Sequence, residues 1–290
     1  MSQMTRKERS DKGSIRINAR DFRCLSWLLE MSSAYEEDLA IVLDPARLTS
    51  PNAAKAVLRR WRQADLVQAE GLFANRGRIV RLTDDGARLV GEVDHSAAGP
   101  VTAAVHTAEV ARTRLLLEHR PPLAGIPVVG WVGARHWRDE HEPAVLAGAH
   151  VPDGVARLAD GSCAAVQVER VNHGISAAID VATDLLRRFP RVVYAVPAMS
   201  GGVAAVIESA VAAAAREIRF AGAEPATALV ISIPDRLRGA LEDQPDGGWS
   251  ARAGGCHDPA GDTKAGDMKR PPGVRGDPRA ASTCLHRPTG

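Results

Sequence analysis

HVPDGVARLADGSCAAVQVERVNH, residues 150–173, sets an Asp-Gly pair between two short strand-like runs. Asp160-Gly161 is a strong hairpin signal, and 154–158 and 163–168 have the composition of its two strands. A loop of Ala159, Asp160 and Gly161, with Gly161 at positive φ, puts Asp153 opposite Gln167 and one pleat away from Glu169. Ala156, Leu158, Ala164, Val166 and Val168 then gather on the other face as a continuous apolar surface. A two-residue loop would pair polar with apolar positions, and a one-residue slip is strongly disfavoured where one face is buried. Asp153, Gln167 and Glu169 are therefore expected on one face, with Cβ separations of roughly 5–8 Å.

Two carboxylates at that spacing are hard-oxygen ligands of the kind Mg²⁺ accepts, because that ion keeps several waters and takes one or two acidic side chains. An ion so held polarises a phosphodiester and activates water. Pro152-Asp153 followed by Gln167-Val168-Glu169 resembles the PD-(D/E)XK nuclease-like core. More narrowly, the runs His-Val-Pro-Asp-Gly from His150, Val-Gln-Val-Glu from Val166 and Val-Val-Tyr-Ala-Val-Pro from Val192 are similar to the actinobacterial plasmid replication-relaxation family. That resemblance implies catalytic positions at Asp153, Gln167, Glu169 and His173, with Asp153 and Glu169 holding Mg²⁺ if the site is functional and no other cofactor. The family strand reads Val-Glu-Val-Glu and a lysine follows it. Gln167 and His173 stand at those two places here, which implies a degenerate site.

Upstream, helical patterns precede a second hairpin. Phe22, Leu25, Leu28 and Leu29 repeat at helical spacing over 19–31, and a short helix is expected over 35–43. Ser50-Pro51 is a start signal for a third helix running to about residue 64. Its Ala54, Val57, Leu58 and Trp61 follow the inward spacing, while Asn52, Lys55, Arg59 and Arg62 line the other side. Strand-like 66–69 and 79–82 flank a loop containing Gly71, Arg76, Gly77 and Arg78, and Thr83 caps a helix over 84–93. This order resembles a winged helix-turn-helix, in which the third helix enters the major groove and basic residues hold phosphates. Asn52, Lys55, Arg59, Arg62, Arg76 and Arg78 are the expected DNA contacts.

Beyond the linker at 96–100, helix is expected over 101–119, with Glu109 facing solvent, then strand over 126–132. The run Arg135 to Glu142 reads as a polar loop or strand edge, and its His136 and His141 do not share a helix face. Helix over 176–189, strand over 192–196, helix over 203–218 and strand over 228–233 complete a mixed sheet with packed helices.

The expected fold class is α/β, α+β overall. A disordered arm at 1–13 precedes a winged helix-turn-helix at 14–95, a restriction-endonuclease-like mixed α/β core at 101–235 and a disordered tail at 243–290, where Gly, Pro, Arg, Asp and Ala replace large apolar residues.

With 290 residues, 45% hydrophobic and 4% aromatic, the chain must pack its cores with Ala, Val and Leu. A net charge of +2 requires any basic surface to be local. Cys24, Cys163, Cys256 and Cys284 show no paired spacing, and Cys256-His257 with Cys284 and His286 fits no zinc module. The charged opening lacks a signal-peptide run, and 203–215 is too short to span a bilayer, so a cytoplasmic protein without a membrane partner is expected. The expected function is DNA binding in plasmid or mobile-element replication and DNA relaxation, with duplex DNA, a second copy and replication or conjugation proteins as partners. Alternatives are a Mg²⁺-dependent DNA nickase and a winged-helix transcriptional regulator with a dimerisation domain.

Overall fold

Helix α1 (Ala19–Met31) begins with a capping box: Asn18 Oδ1 accepts the Asp21 N–H at 2.9 Å and Asp21 Oδ2 accepts the Asn18 N–H at 3.3 Å. The computed structural model describes residues 16–46, 48–72, 77–92, 101–120 and 125–242. The arm at 1–13, the tail at 243–290 with Cys256 and Cys284, and Arg76 lie outside the described residues. Strand β1 (Ala34–Tyr35) and helix α2 (Leu39–Leu43) replace the single helix expected over 35–43. Ala34 and Tyr35 pair with Val80 and Ile79, and an edge strand of two residues has no periodicity of its own to read.

Helix α3 (Pro51–Gln63) starts where Ser50-Pro51 indicates, with Ser50 Oγ accepting the Ala53 N–H at 3.3 Å. Ala54, Val57, Leu58 and Trp61 are its buried residues. Trp61 is fully enclosed, and truncating it to alanine would cost about 3–5 kcal/mol. Strands β2 (Val67–Gly71) and β3 (Arg78–Leu82) form an antiparallel hairpin, and with β1 they make a sheet ordered β1-β3-β2. Helix α4 (Asp84–Leu89) is capped by Thr83 and ends earlier than expected. A Cβ on its Gly86 would lie 2.0 Å from the Leu66 carbonyl oxygen, so only glycine lets this turn sit against the chain entering β2. The element order and sheet are those of a winged helix-turn-helix.

Two compact units divide the chain. The first holds the described residues up to 120 together with 197–199 and 233–242. Helix α5 (Val101–His119) therefore belongs to the first unit, although 101 was expected to open the second. Its Ala104, Val105 and Ala108 pack with Tyr35 and Ile79, and Ser33 Oγ donates to the Ala104 carbonyl at 2.6 Å. Glu109, expected to face solvent, is only 6% exposed and accepts the Tyr35 hydroxyl at 3.4 Å. Arg112 is buried too, donating to Asp38 at 2.7 and 3.1 Å and to Glu37 at 2.7 Å, with its guanidinium 4.1 Å from the Tyr35 ring centroid. Helix periodicity alone does not announce such polar burial, because each buried charge depends on a partner about 74 residues away.

In the second unit β4 (Val128–Gly133) leads into α6 (Ala134–Glu140) and α7 (Glu142–Leu146). The segment 135–142 thus forms two short helices joined at His141 where a polar loop or strand edge was expected. Trp137 anchors it, 3% exposed, stacked on the His141 ring at 4.4 Å and near Phe189. Strands β5 (Gly154–Leu158) and β6 (Cys163–Val168) follow, then α8 (Ile175–Arg188), β7 (Arg191–Pro197), α9 (Gly201–Phe220) and β8 (Thr227–Ile233). The sheet order is β4-β5-β6-β7-β8, with β5 antiparallel to both β4 and β6, and β6 parallel to β7.

Strand β6 is buried along its whole length, as a central strand covered on both faces must be. Val155, Cys163, Ala165, Val192 and Tyr194 form one cluster with the apolar stripes of α8 and α9. Ala156, Leu158, Ala164, Val166 and Val168 on the other face are buried as well. Cys24 and Cys163 are buried, and neither forms a disulfide among the described residues. Last comes α10 (Leu237–Glu242), a helix of the first unit lying where the sequence pattern fades. Among the described residues no helix is long and apolar enough to cross a membrane.

Candidate functional site

The hairpin takes the register expected from Asp160-Gly161. Gly154 pairs with Val166, Val155 with Ala165 and Arg157 with Cys163, so one step further Asp153 falls opposite Gln167. Gly161 closes the loop at φ +81°, a conformation that a side chain rarely adopts. Asp160 Oδ1 braces the turn by accepting the Ser162 N–H at 3.0 Å.

Around Gln167 the polar groups are chained. His150 Nε2 lies 3.0 Å from Gln167 Oε1, and Gln167 Nε2 donates to Glu169 Oε1 at 3.4 Å. Asp153 Oδ2 accepts the Val168 N–H at 2.7 Å, so this carboxylate extends the contact between the strands to the residue before β5. His150 is itself held from both sides. Its N–H donates to Asp184 Oδ2 at 2.8 Å and its carbonyl accepts from Arg188 Nη2 at 2.6 Å, while Arg188 Nε donates to Asp184 Oδ1 at 2.9 Å. Burial, chiefly, and then the nearby Asp153 charge push the Glu169 carboxyl above its ordinary value, with His173, Gln167 and His150 opposing that rise. His173 is exposed in the loop before α8.

Tyr194 pairs with Gln167 across the parallel ladder, and its side chain is 1% exposed. Its hydroxyl has no hydrogen-bond partner among the described residues. Burial, then the Glu169 and Asp184 carboxylates, raise its phenol. His150, Asp184, Arg188 and Tyr194 were given no site role from the sequence, although His150 and Tyr194 fall within the runs that carry the resemblance. The hairpin register yields Asp153 and Gln167 directly, whereas Tyr194 requires the β6–β7 pairing and Asp184 requires the docking of α8.

These groups make a poor Mg²⁺ site. That ion demands near-ideal octahedral oxygen geometry. Asp153 already receives a backbone N–H, the Gln167 oxygen faces His150, and the environment of Glu169 disfavours its ionised form. Among the described residues no three His, Cys, Asp or Glu side chains are placed to hold a metal ion together.

In the first unit, Asn52, Lys55, Arg59 and Arg62 are all exposed on α3, opposite its buried face. Arg59 and Arg62 line one open groove together with Gln63 and Gln68. Arg60, by contrast, is drawn to the buried Asp21 at 2.5 Å. Arg78 also turns back onto the protein, 3.5 Å from Glu36 and donating to the Ala69 carbonyl at 3.1 Å. Comparison of the chain with protein-family models, with curated proteins and with solved structures finds no match.

Proposed function

We propose that this chain is a cytoplasmic duplex-DNA-binding protein of plasmid or mobile-element replication and DNA relaxation, related to the replication-relaxation family, whose nuclease-like unit is catalytically decayed. The observation that carries the DNA-binding reading is α3. One side of it is closed over Trp61, and the other exposes Asn52, Lys55, Arg59 and Arg62. In winged helices this face lies in the major groove, where Arg and Asn read base edges and flanking cations hold phosphates. Replication and relaxation rest on the resemblance of the His150, Val166 and Val192 runs.

The decayed reading is supported by the chemistry at Gln167. An amide there contributes no charge, and its oxygen and nitrogen are occupied by His150 and Glu169. The test titrates the full chain onto supercoiled plasmid with Mg²⁺ or Mn²⁺ present, scoring retardation and nicking in the same samples. Retardation of intact supercoiled DNA is expected. Metal-dependent nicking that is lost in Glu169→Ala would overturn the decayed reading and leave a nickase.

A further inference from the structure

Residues 233–242 return to the first unit, where they are fastened at four places, one of them the Ala240 carbonyl, which accepts from Arg120. Arg112 donates to the Pro234 carbonyl at 3.2 Å and to that of Asp235 at 2.5 Å. Leu237 is completely buried. Arg238 Nη1 donates to the Thr49 carbonyl at 2.9 Å, one residue before the Ser50 cap of α3. Arg236 stands between these anchors and is exposed. Its backbone is therefore fixed beside the first turn of α3, although it lies far from that helix in sequence.

One cavity of about 580 Å³ brings the relevant groups together, with Lys55, Arg78, Arg236 and Arg238 on its lining and Pro51 and Ala54 on its wall. The four cations are not equivalent. Arg78 faces Glu36 at 3.5 Å and Arg238 faces Glu242 at 2.7 Å. Lys55 and Arg236 have no ion-pair partner among the described residues. The carboxylates on the same lining, Glu36, Glu37 and Glu242, are each engaged by another arginine, Arg78, Arg112 and Arg238. That leaves the charges of Lys55 and Arg236 to attract an anion at this opening, and a guanidinium presents paired N–H donors that match phosphate oxygens.

We propose that Arg236 joins Lys55 in binding the phosphate backbone of duplex DNA, so that the segment after β8 is a second, sequence-distant part of the DNA interface. The proposal rests on the reading of α3 as the DNA-facing helix. It adds a phosphate contact supplied from the far end of the described chain, on a backbone that Arg112 and Arg238 hold in place.

The test measures binding of the full chain to a labelled duplex by fluorescence anisotropy over a salt series, for wild type, Lys55→Ala, Arg236→Ala and Arg236→Lys. Arg236→Ala is expected to weaken binding about five-fold near 0.1 M salt and to reduce the log–log salt slope by about one, the signature of one lost phosphate contact. Arg236→Lys should retain most of both, which separates charge from any loss of folding. If Lys55→Ala weakens binding while Arg236→Ala keeps wild-type affinity and slope, the proposal is overturned and the α3 reading stands. Absence of binding by wild type removes both.

Discussion

Asp153 Oδ2 accepts the backbone N–H of Val168 at 2.7 Å, across 15 residues of sequence and between neighbouring strands. The carboxylate that resembles a metal ligand is therefore also a structural acceptor, satisfying a β6 amide just before β5 begins. Charge-assisted hydrogen bonds of this kind are roughly twice as strong as neutral ones. Asp153→Ala leaves the Val168 amide without that acceptor and should destabilise the protein by about 1–3 kcal/mol. Urea unfolding of the variant checks this, and wild-type stability would show that the bond contributes nothing.

Next to Asp153, Gly154 is under a different constraint. A Cβ built there would lie 2.0 Å from Trp131 Cζ2 and 2.5 Å from Cε2, so the indole occupies the space a side chain needs. Gly154→Ala should cost about 1–3 kcal/mol by overpacking. Trp131→Leu in the same chain should recover part of that loss, as expected for residues in contact. Thermal unfolding of both single variants and the double variant measures the coupling; strict additivity would show that the clash is relieved elsewhere.

Glu169 gives the fold a pH dependence. Its carboxyl is held above the ordinary 4.5, first by burial and then by Asp153, so the folded state keeps this proton over a range where the unfolded state has released it. The stability contributed is fully present below 4.5 and is lost as pH rises through the raised folded value. Asp38, pushed up to about 6 by burial against the pull of Arg112, acts in the same direction. Glu169→Gln should therefore flatten, without abolishing, the decline in stability from pH 4.5 towards neutrality. Unfolding midpoints at a series of pH values decide it, and an unchanged slope would remove Glu169 as a source.

The sequence made the hairpin legible because three local signals agree. Asp160-Gly161 marks the turn, Gly161 supplies the positive φ, and the three-residue loop is the one that sets Asp153 opposite Gln167 rather than opposite an apolar residue. Helix α3 was legible for the same reason, through its cap, its proline and its two distinct faces. What stayed hidden depends on distant partners. Tyr35 pairs as a strand only because β3 returns beside it, and Glu109 is buried only because that tyrosine meets it. Helix α10 has too few residues for a periodic signal and is fastened through Arg238 and Thr49, 189 positions apart. At the candidate site the hairpin residues were readable, while His150, Asp184 and Tyr194 enter through tertiary docking.

Charge introduced at Gln167 and His173 should change metal affinity. In Gln167→Glu a second carboxylate would face Glu169, and a cation is the means of relieving that repulsion. His173→Lys would place a full positive charge in the loop before α8. The combined variant should bind Mg²⁺ more tightly than wild type by isothermal titration calorimetry, and Asp153→Ala should cancel the gain. Equal Mg²⁺ affinity in wild type and the combined variant would show that Gln167 is not what weakens the site.

If the exposed side of α3 binds the backbone and grooves of duplex DNA, salt-dependent binding by the full chain shows it most directly. Each phosphate contact contributes about −0.9 to the slope of log affinity against log salt. Wild type should bind duplex DNA with a steep negative slope, and Lys55→Ala combined with Arg59→Ala should lower affinity by about ten-fold or more and reduce the slope by about two. Absence of binding by wild type, or a double variant with unchanged affinity and slope, would contradict the account.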